Sequence, residues 1–505
     1  MTFFSSISIV KAMRVILAGY NVDSTVIEEL KKISPPRDDI TPETLSASYA
    51  RISRDPRPID ELRAEARAEV ERARRSNQNI IFRMGHHSVA EHAVFNFDLI
   101  GVSRLALEEI EKFRLCSYTE KSQRYVTLKN DFVLPEEIRN AGLQKIFVDT
   151  IMAQNALYHK LYKKLRPHIF AKHKDMAQDP KKRSLLNGWA KEDARYVVSL
   201  ATQGQVGMTL NARNLEFFIR RFSSKTLAEL KELNQKVYKL SKEVAPSIIL
   251  FTEAADFDAK TYEDLETKAD EFLSATNQTA NSPVQLINFT PDADDRLVAS
   301  LLHTSSSLPY KACFENSCRL SFERKKDFLK SAFQHMEFYD SVLREFEYVD
   351  LTFDLIVSAT CFAQLKRHRM ATVTTQKYNP ELGVTVPPSI KEIGNESEYL
   401  ETIARTNDVY SLLSERLAQG AEYVLTNAHR KRVLIKVNAR ELYHISRLRE
   451  DRTAQWDIRR VVGTMTELAR QVMPLTFLLL GSKDSFPTTY KKAFGRLPKL
   501  RPPKL

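Results

Sequence analysis

Glycine is scarce in this chain, 13 among 505 residues, and neither a Gly-x-Gly-x-x-Gly run nor a glycine-rich loop ending in Gly-Lys-Ser/Thr occurs. A dinucleotide-binding βαβ unit and a phosphate-cradling glycine loop are thereby excluded. Cysteine is scarcer still. Cys116, Cys313, Cys318 and Cys361 are too few for a disulfide framework, and Cys313 and Cys318 have no second pair to complete a metal site. A reducing, cytoplasmic compartment and no metal are the expectation. No apolar run approaches the roughly 20 residues that a membrane-crossing helix needs, so no membrane partner is expected. The segment before Met13 lacks the basic start and small-residue cleavage site of a secretory signal, and is read as an extension ahead of a first strand, MRVILAGY.

Lysine and arginine (76) exceed aspartate and glutamate (64), a net charge of +12 that favours anionic partners. Nucleotides and nucleic acids satisfy that field equally. The basic tail FGRLPKLRPPKL has no nucleic-acid-binding motif beside it, so nucleic acid is disfavoured and the tail is read as a surface extension.

The dominant positive feature is an internal repeat. FNFDLIGVSRLALEEIEKFRLCSYTEKSQRY, from Phe95, is echoed by LTFDLIVSATCFAQLKRHRMATVTTQKYN, from Leu351. Phe95, Phe97 and Leu99, like Leu351, Phe353 and Leu355, alternate with polar neighbours, which predicts a half-buried strand followed by a helix. A second block, LNARNLEFFIRRF from Leu210, recurs as VNARELYHISRLR from Val437 and predicts another helix. Arg114 and Arg369 stand 255 positions apart but Asn211 and Asn438 only 227, so copy one carries 28 extra residues (255 − 227). The basic run KHKDMAQDPKKR lies among them and is read as a solvated loop. The division expected is copy one at 13–251, a polar linker at 252–283, copy two at 284–482 and a basic tail at 483–505. Strands mixed with long amphipathic helices predict an α+β class.

RHRMATVTTQKYN (Arg367–Asn379) and KFRLCSYTEKSQR (Lys112–Arg124) together resemble the Arg-His-Arg signature of flavin-dependent thymidylate synthases. GHHSVAEH from Gly85 is similar to that family's histidine-rich loop, and the Asn-Ala-Arg blocks and AQWDIRR (Ala454–Arg460) to its C-terminal helices. The resemblance implies two tandem copies of that fold, each a small antiparallel sheet with long helices. It implies the conversion of dUMP to dTMP, with methylenetetrahydrofolate giving the carbon, reduced FAD the hydride, and NADPH reducing the flavin. It implies active sites built from more than one subunit of a homotetramer.

Carried onto this sequence, the resemblance makes Arg449 the catalytic guanidinium that stabilises the uracil anion. Gln364, Arg367, Glu120, Ser122, Gln123, Arg124 and Arg195 would bind substrate. His86, Ser88, Glu120, Asn211, Arg213, Arg367, His368, Arg369, Asn438, Arg440 and His444 would hold FAD. If one helix carries Gln364, Arg367 and His368, their spacing puts them on a single face.

Neither copy keeps the full set. Copy one has Glu109, Lys112, Phe113 and Phe222 where the family has Gln, Arg, His and the catalytic Arg, yet retains Glu120, Ser122, Arg124 and Arg195. Copy two retains Gln364, Arg367, His368, Arg369, Asn438, His444 and Arg449, but has Thr375, Lys377, Asn379 and Glu422 on the nucleotide side. The complementarity predicts one composite site, with copy one holding the phosphate and copy two performing the chemistry, in a homodimer that mimics the family's homotetramer. The alternative is a catalytically lapsed relative that serves as a nucleotide-binding or structural protein.

Overall fold

The computed structural model describes residues 12–21, 24–33, 55–69, 91, 93–124, 126–244, 249, 252–273, 282–338 and 340–499. The extension up to residue 11, His86, Ser88 and the last six residues of the basic tail lie outside these. Copy one runs through β1 (Arg14–Tyr20), β2 (Val94–Ser103), α1 (Arg104–Ile110), β3 (Ser117–Glu120) and α2 (Gln144–Lys172). It continues through α3 (Lys174–Gln178), α4 (Pro180–Ala194), β4 (Gln203–Asn211), α5 (Ala212–Ser223) and α6 (Ala228–Val244). Copy two repeats the plan as β5 (Val284–Phe289), β6 (Asp350–Ser358), α7 (Ala359–Leu365), β7 (Thr372–Thr375) and α8 (Glu396–Arg416). It ends with β8 (Arg430–Asn438), α9 (Ala439–Arg449) and α10 (Trp456–Val472).

Each copy builds one antiparallel four-stranded sheet, ordered β1-β2-β4-β3 and β5-β6-β8-β7. This is the helix-rich, two-copy α+β fold that the repeat predicts. Phe95, Phe97 and Leu99 of β2 are buried, as are Leu351, Phe353 and Leu355 of β6, so the alternation does mark the core face. Leu210 and Met208 lie opposite Phe95 and Phe97, and Val437 and Ile435 opposite Leu351 and Phe353. The extra residue of copy one within this block is Gly101. It sits at φ +76° where the register slips between Ile100 and Val102, a bulge that only a residue without Cβ enters cheaply.

The strand-to-helix junctions explain part of both repeat blocks. Ser103 and Ser358 cap α1 and α7 by accepting from the amides of Ala106 and Cys361. Asn211 and Asn438 cap α5 and α9 by accepting from the amides of Asn214 and Glu441. Asp457, within the AQWDIRR motif, accepts from the Ser358 hydroxyl at 2.7 Å. These motif residues therefore hold element ends together, whatever else they do.

Two local expectations change. Helix α7 stops at Leu365, because the His368 amide turns back to the Leu365 carbonyl (3.1 Å), so Arg367 and His368 lie on a turn and do not share a helix with Gln364. The basic run at residues 172–183 is exposed as expected, but it forms α3 and the first turn of α4 instead of a loop. Asp179 caps α4 and Pro180 occupies its first turn, which is strong start chemistry that the charge density concealed.

The chain divides into two compact units, residues 1–277 with 386–427, and residues 278–385 with 428–505. The first unit thus includes α8 of copy two, which packs on α2 of copy one. Within it, Ser199 and Thr426 form an antiparallel bridge, flanked by Leu200 N–H to Leu425 O (2.7 Å) and Asn427 N–H to Val198 O (2.9 Å). The 227-position offset of the second block maps Ser199 onto Thr426, Val198 onto Leu425 and Leu200 onto Asn427. Equivalent residues of the two copies therefore pair with each other, as in an isologous dimer contact.

Candidate active site

In copy one, β3 and the turn after it carry Glu120, Ser122, Gln123 and Arg124, while Arg195 follows the end of α4. The Arg124 guanidinium contacts the Glu192 carboxylate, which lies beside Arg195 as well. Glu192 is buried. Burial raises its carboxyl to about 7, against the lowering pull of Arg124 and Arg195. Glu120 is buried against Arg104, 2.5 Å away. A small recess here is lined by Arg104, Glu120, Ser122, Gln123, Gln203 and Gly204. The Gln123 amide oxygen accepts from Asn427 Nδ2 (3.0 Å), which also donates to the Arg195 carbonyl (3.0 Å), so a copy-two residue helps to set this cluster. Two guanidiniums held over one carboxylate form a group that a phosphate dianion can bind by displacing the carboxylate.

In copy two, α9 and the turn after α7 bring Arg449 and His368 together. The Arg449 Nε–H donates to His368 Nε2 at 2.9 Å, and its Nη2 donates to the Gln364 carbonyl at 3.2 Å. His368 is buried, and its pKa is pushed down to about 3, first by burial and then by the neighbouring Arg449 charge. The His444 ring meets it edge-on at 5.8 Å and is lowered for the same first reason. Glu441 Oε1 lies 3.3 Å from His368 Nδ1. The Gln364 Nε2 is buried and has no hydrogen-bond partner among the described residues. Arg367 is exposed, and Arg440 donates its Nε to Val342 O (2.9 Å) and its Nη1 to Glu347 (3.0 Å).

Each copy fills the positions at which it differs from the other. In copy one, Phe113 and Phe222 stand where copy two has His368 and Arg449, and their rings lie 5.9 Å apart. Phe217 and Phe218 complete the cluster at 5.6 and 5.0 Å from Phe113, and Phe218 stacks on Phe222 at 4.2 Å. Glu109, the counterpart of Gln364, pairs with Lys112 and Lys225. In copy two, Lys431 replaces Gly204. Its ammonium is sandwiched between the rings of Phe362 and Tyr378, 4.2 and 4.1 Å from their centroids. These two aromatics stand where copy one has Leu107 and Gln123 at its recess. A Cβ on Gly204 would sit 2.6 Å from Leu107 Cδ1, so a larger residue there requires that side-chain end to move.

Glu120, Ser122, Gln123, Arg124 and Arg195 lie in the first unit, and Gln364, Arg367, His368, Arg369, Asn438, Arg440, His444 and Arg449 in the second. Asn211 and Arg213 are held at the start of α5, the one capping and the other paired with Glu91 at 2.8 Å. Residues that the sequence reading passed over are Arg104, Glu192, Asn427, Lys431 and Glu441. Glu192 carries a signal, three positions before Arg195. Asn427 carries none, because its partners Gln123 and Arg195 are 304 and 232 positions away. Cys116 and Cys361 are buried, and burial drives the Cys361 thiol well above its usual range, which removes it as a nucleophile.

Comparison with known proteins bears on the same segments. The sequence profile of the family described as "Thymidylate synthase complementing protein" matches residues 38–247 and again 285–475. A flavin-dependent thymidylate synthase of Clostridium tetani is 29% identical over 216 residues, 42% of this chain and 82% of that protein. One of Geobacter sulfurreducens is 31% identical over 208 residues, 41% of this chain and 80% of its own length. A double-length relative, a "UPF0159 protein" of Thermoplasma acidophilum, is 23% identical over 470 residues, 85% of this chain and 92% of its own.

Proposed function

The chain belongs to the thymidylate synthase complementing protein family, and from that membership we propose that it is a flavin-dependent thymidylate synthase whose two copies each keep one half of the working residues. The reaction is the conversion of dUMP to dTMP, with methylenetetrahydrofolate as carbon donor and NADPH as reductant. FAD, when bound and reduced, supplies the hydride that completes the methyl group.

The observation that carries this reading is the reciprocal filling. An aromatic cluster occupies the flavin half of copy one, and a sandwiched lysine occupies the nucleotide half of copy two. The reaction then requires the nucleotide set of copy one together with the base and flavin set of copy two. Arg124 and Arg195 bind the phosphate, while Glu120, Ser122 and Gln123 fix the sugar and base. Arg449 faces the uracil edge, where the loss of a ring proton makes the methyl-accepting carbon nucleophilic, and its guanidinium stabilises the anion. Its contacts to His368 and the Gln364 carbonyl fix the orientation of the fork. The donor set of copy two suits FAD. Gln364 offers the substrate a buried amide donor that has no partner among the described residues, and Arg367, His368, Arg369, Asn438, Arg440 and His444 would hold the flavin ring and its phosphates. His86 and Ser88 of copy one are proposed to join them on the resemblance alone. A cytoplasmic homodimer, four copies in all, is the proposed assembly.

The test is direct. The purified chain should absorb near about 450 nm, as bound flavin does, and take up one FAD per chain. Arg124→Ala and Arg449→Ala should each reduce dTMP formation by about a hundredfold or more, as loss of a charge-stabilising group in a site does. A colourless chain that takes up no FAD would overturn the reading in favour of a lapsed nucleotide-binding relative.

A further inference from the structure

The contact between His368 and Glu441 has chemical content that neither residue shows alone. The guanidinium has only N–H donors, so the Arg449 Nε that points at His368 Nε2 forces that nitrogen to be an acceptor. A neutral imidazole then carries its proton on Nδ1, and the atom facing Nδ1 is Glu441 Oε1 at 3.3 Å. Both groups are buried, and the two atoms face each other at that distance with no hydrogen-bond partner among the described residues. The arrangement is therefore a directed relay. Glu441 Oε1 stands opposite the His368 Nδ1–H, and His368 accepts from Arg449, whose Nη2 donates in turn to the Gln364 carbonyl.

An independent observation comes from copy one. The positions equivalent to Glu441, His368 and Arg449 there are Asn214, Phe113 and Phe222. All three members are lost together, and Asn214 turns its Nδ2 to the capping Asn211 (2.8 Å) while the two phenylalanines pack in one cluster. A carboxylate kept only for the stability of the helix start would have no reason to vanish with the histidine and the arginine. We propose that Glu441 is a positioning residue for substrate recognition: by holding the Nδ1–H of His368 it fixes the imidazole that aims the Arg449 guanidinium at the uracil edge. The proposal rests on the reading of copy two given above.

A double-mutant cycle on the full-length, FAD-loaded chain tests it, with dUMP affinity measured by calorimetry for wild type, Glu441→Leu, His368→Gln and the double variant. Glu441→Leu should weaken dUMP binding by about tenfold, and the same change in the His368→Gln background by less than about twofold, because residues that act through one another are not additive. Glu441→Gln, whose amide oxygen can still accept from Nδ1–H, should restore affinity to within about threefold of wild type. Should Glu441→Leu fail to fold, Glu441→Asn, the residue type of copy one, takes its place in the cycle. Additive losses would show that Glu441 acts independently of His368, and would overturn the relay while leaving the site intact. A wild-type chain that binds FAD but no dUMP would overturn the functional reading itself, and the relay with it.

Discussion

At the scale of single residues, the sharpest chemistry in copy one is a carboxyl buried between two guanidiniums. Glu192 has its pKa raised to about 7 because burial outweighs Arg124 and Arg195, so near neutrality it is partly protonated. A phosphate dianion that arrives on the same two arginines replaces the carboxylate as their counter-charge and pushes the Glu192 pKa higher still. Binding of dUMP should therefore take up protons between about pH 7 and 8, which calorimetry in buffers of different ionisation enthalpy reads directly. Glu192→Gln should abolish that uptake, and binding with no proton linkage in the wild type would remove Glu192 from the site. The same raised value has the usual consequence for folding. The native state binds more protons than the unfolded one between about 4.5 and 7, so this group's contribution to stability is complete below that window and is lost as pH rises through it. His368 has the opposite sense: lowered to about 3, it favours the native state above its unfolded value, and that contribution fades as pH falls.

At the scale of elements, the phenylalanine cluster of copy one is an alternative solution to the problem that His368 and Arg449 solve in copy two. Putting Arg alone into that cluster by Phe222→Arg buries a guanidinium against Phe113 and Phe218 without the imidazole acceptor that Arg449 has in copy two, and should cost about 3 kcal/mol or more in urea unfolding. Phe113→His with Phe222→Arg supplies the acceptor that the copy-two pair uses, so the double variant should be more stable than Phe222→Arg alone. Equal or greater destabilisation of the double variant would mean that the two positions are not coupled as they are in copy two. Much of this scale was legible beforehand. The alternation of Phe95, Phe97 and Leu99 located β2, and the repeat carried the assignment to β6, because strand burial is written at a period of two. What was not legible depended on contacts that a linear offset does not carry. Lys431 is an ordinary strand lysine until Phe362 and Tyr378 are seen on either side of it. The early end of α7 has no glycine or proline to announce it; it follows from a His368 amide that bonds back to Leu365. The insertion was misread because its charge density outweighed the Asp179–Pro180 start signal.

At the scale of the whole molecule, the pairing of residues 198–200 with their own equivalents at 425–427 makes a single chain hold one contact of the kind that a homodimer makes between two. Fusion of the copies removes the symmetry that forces both to stay complete, which permits the complementary division proposed for the two sets. Whether one chain supplies both halves of a working set, or two chains share them, is decided by complementation. Arg124→Ala disables the nucleotide set and leaves the copy-two set intact, and Arg449→Ala does the reverse. If both sets of a working pair come from one chain, mixing the two inactive variants restores nothing, since each chain carries its own lesion. If they come from different chains of a homodimer, free exchange makes half of the dimers mixed, and one of the two pairings in each is intact. Recovery should then approach about a quarter of wild-type dTMP formation, by the statistics of a twofold assembly. The fused chain favours the first outcome, because tethering the copies makes their encounter intramolecular and independent of protein concentration. Wild-type activity should accordingly stay constant per chain on dilution, and a rate that falls faster than the first power of protein concentration would assign the shared pairing to two chains instead.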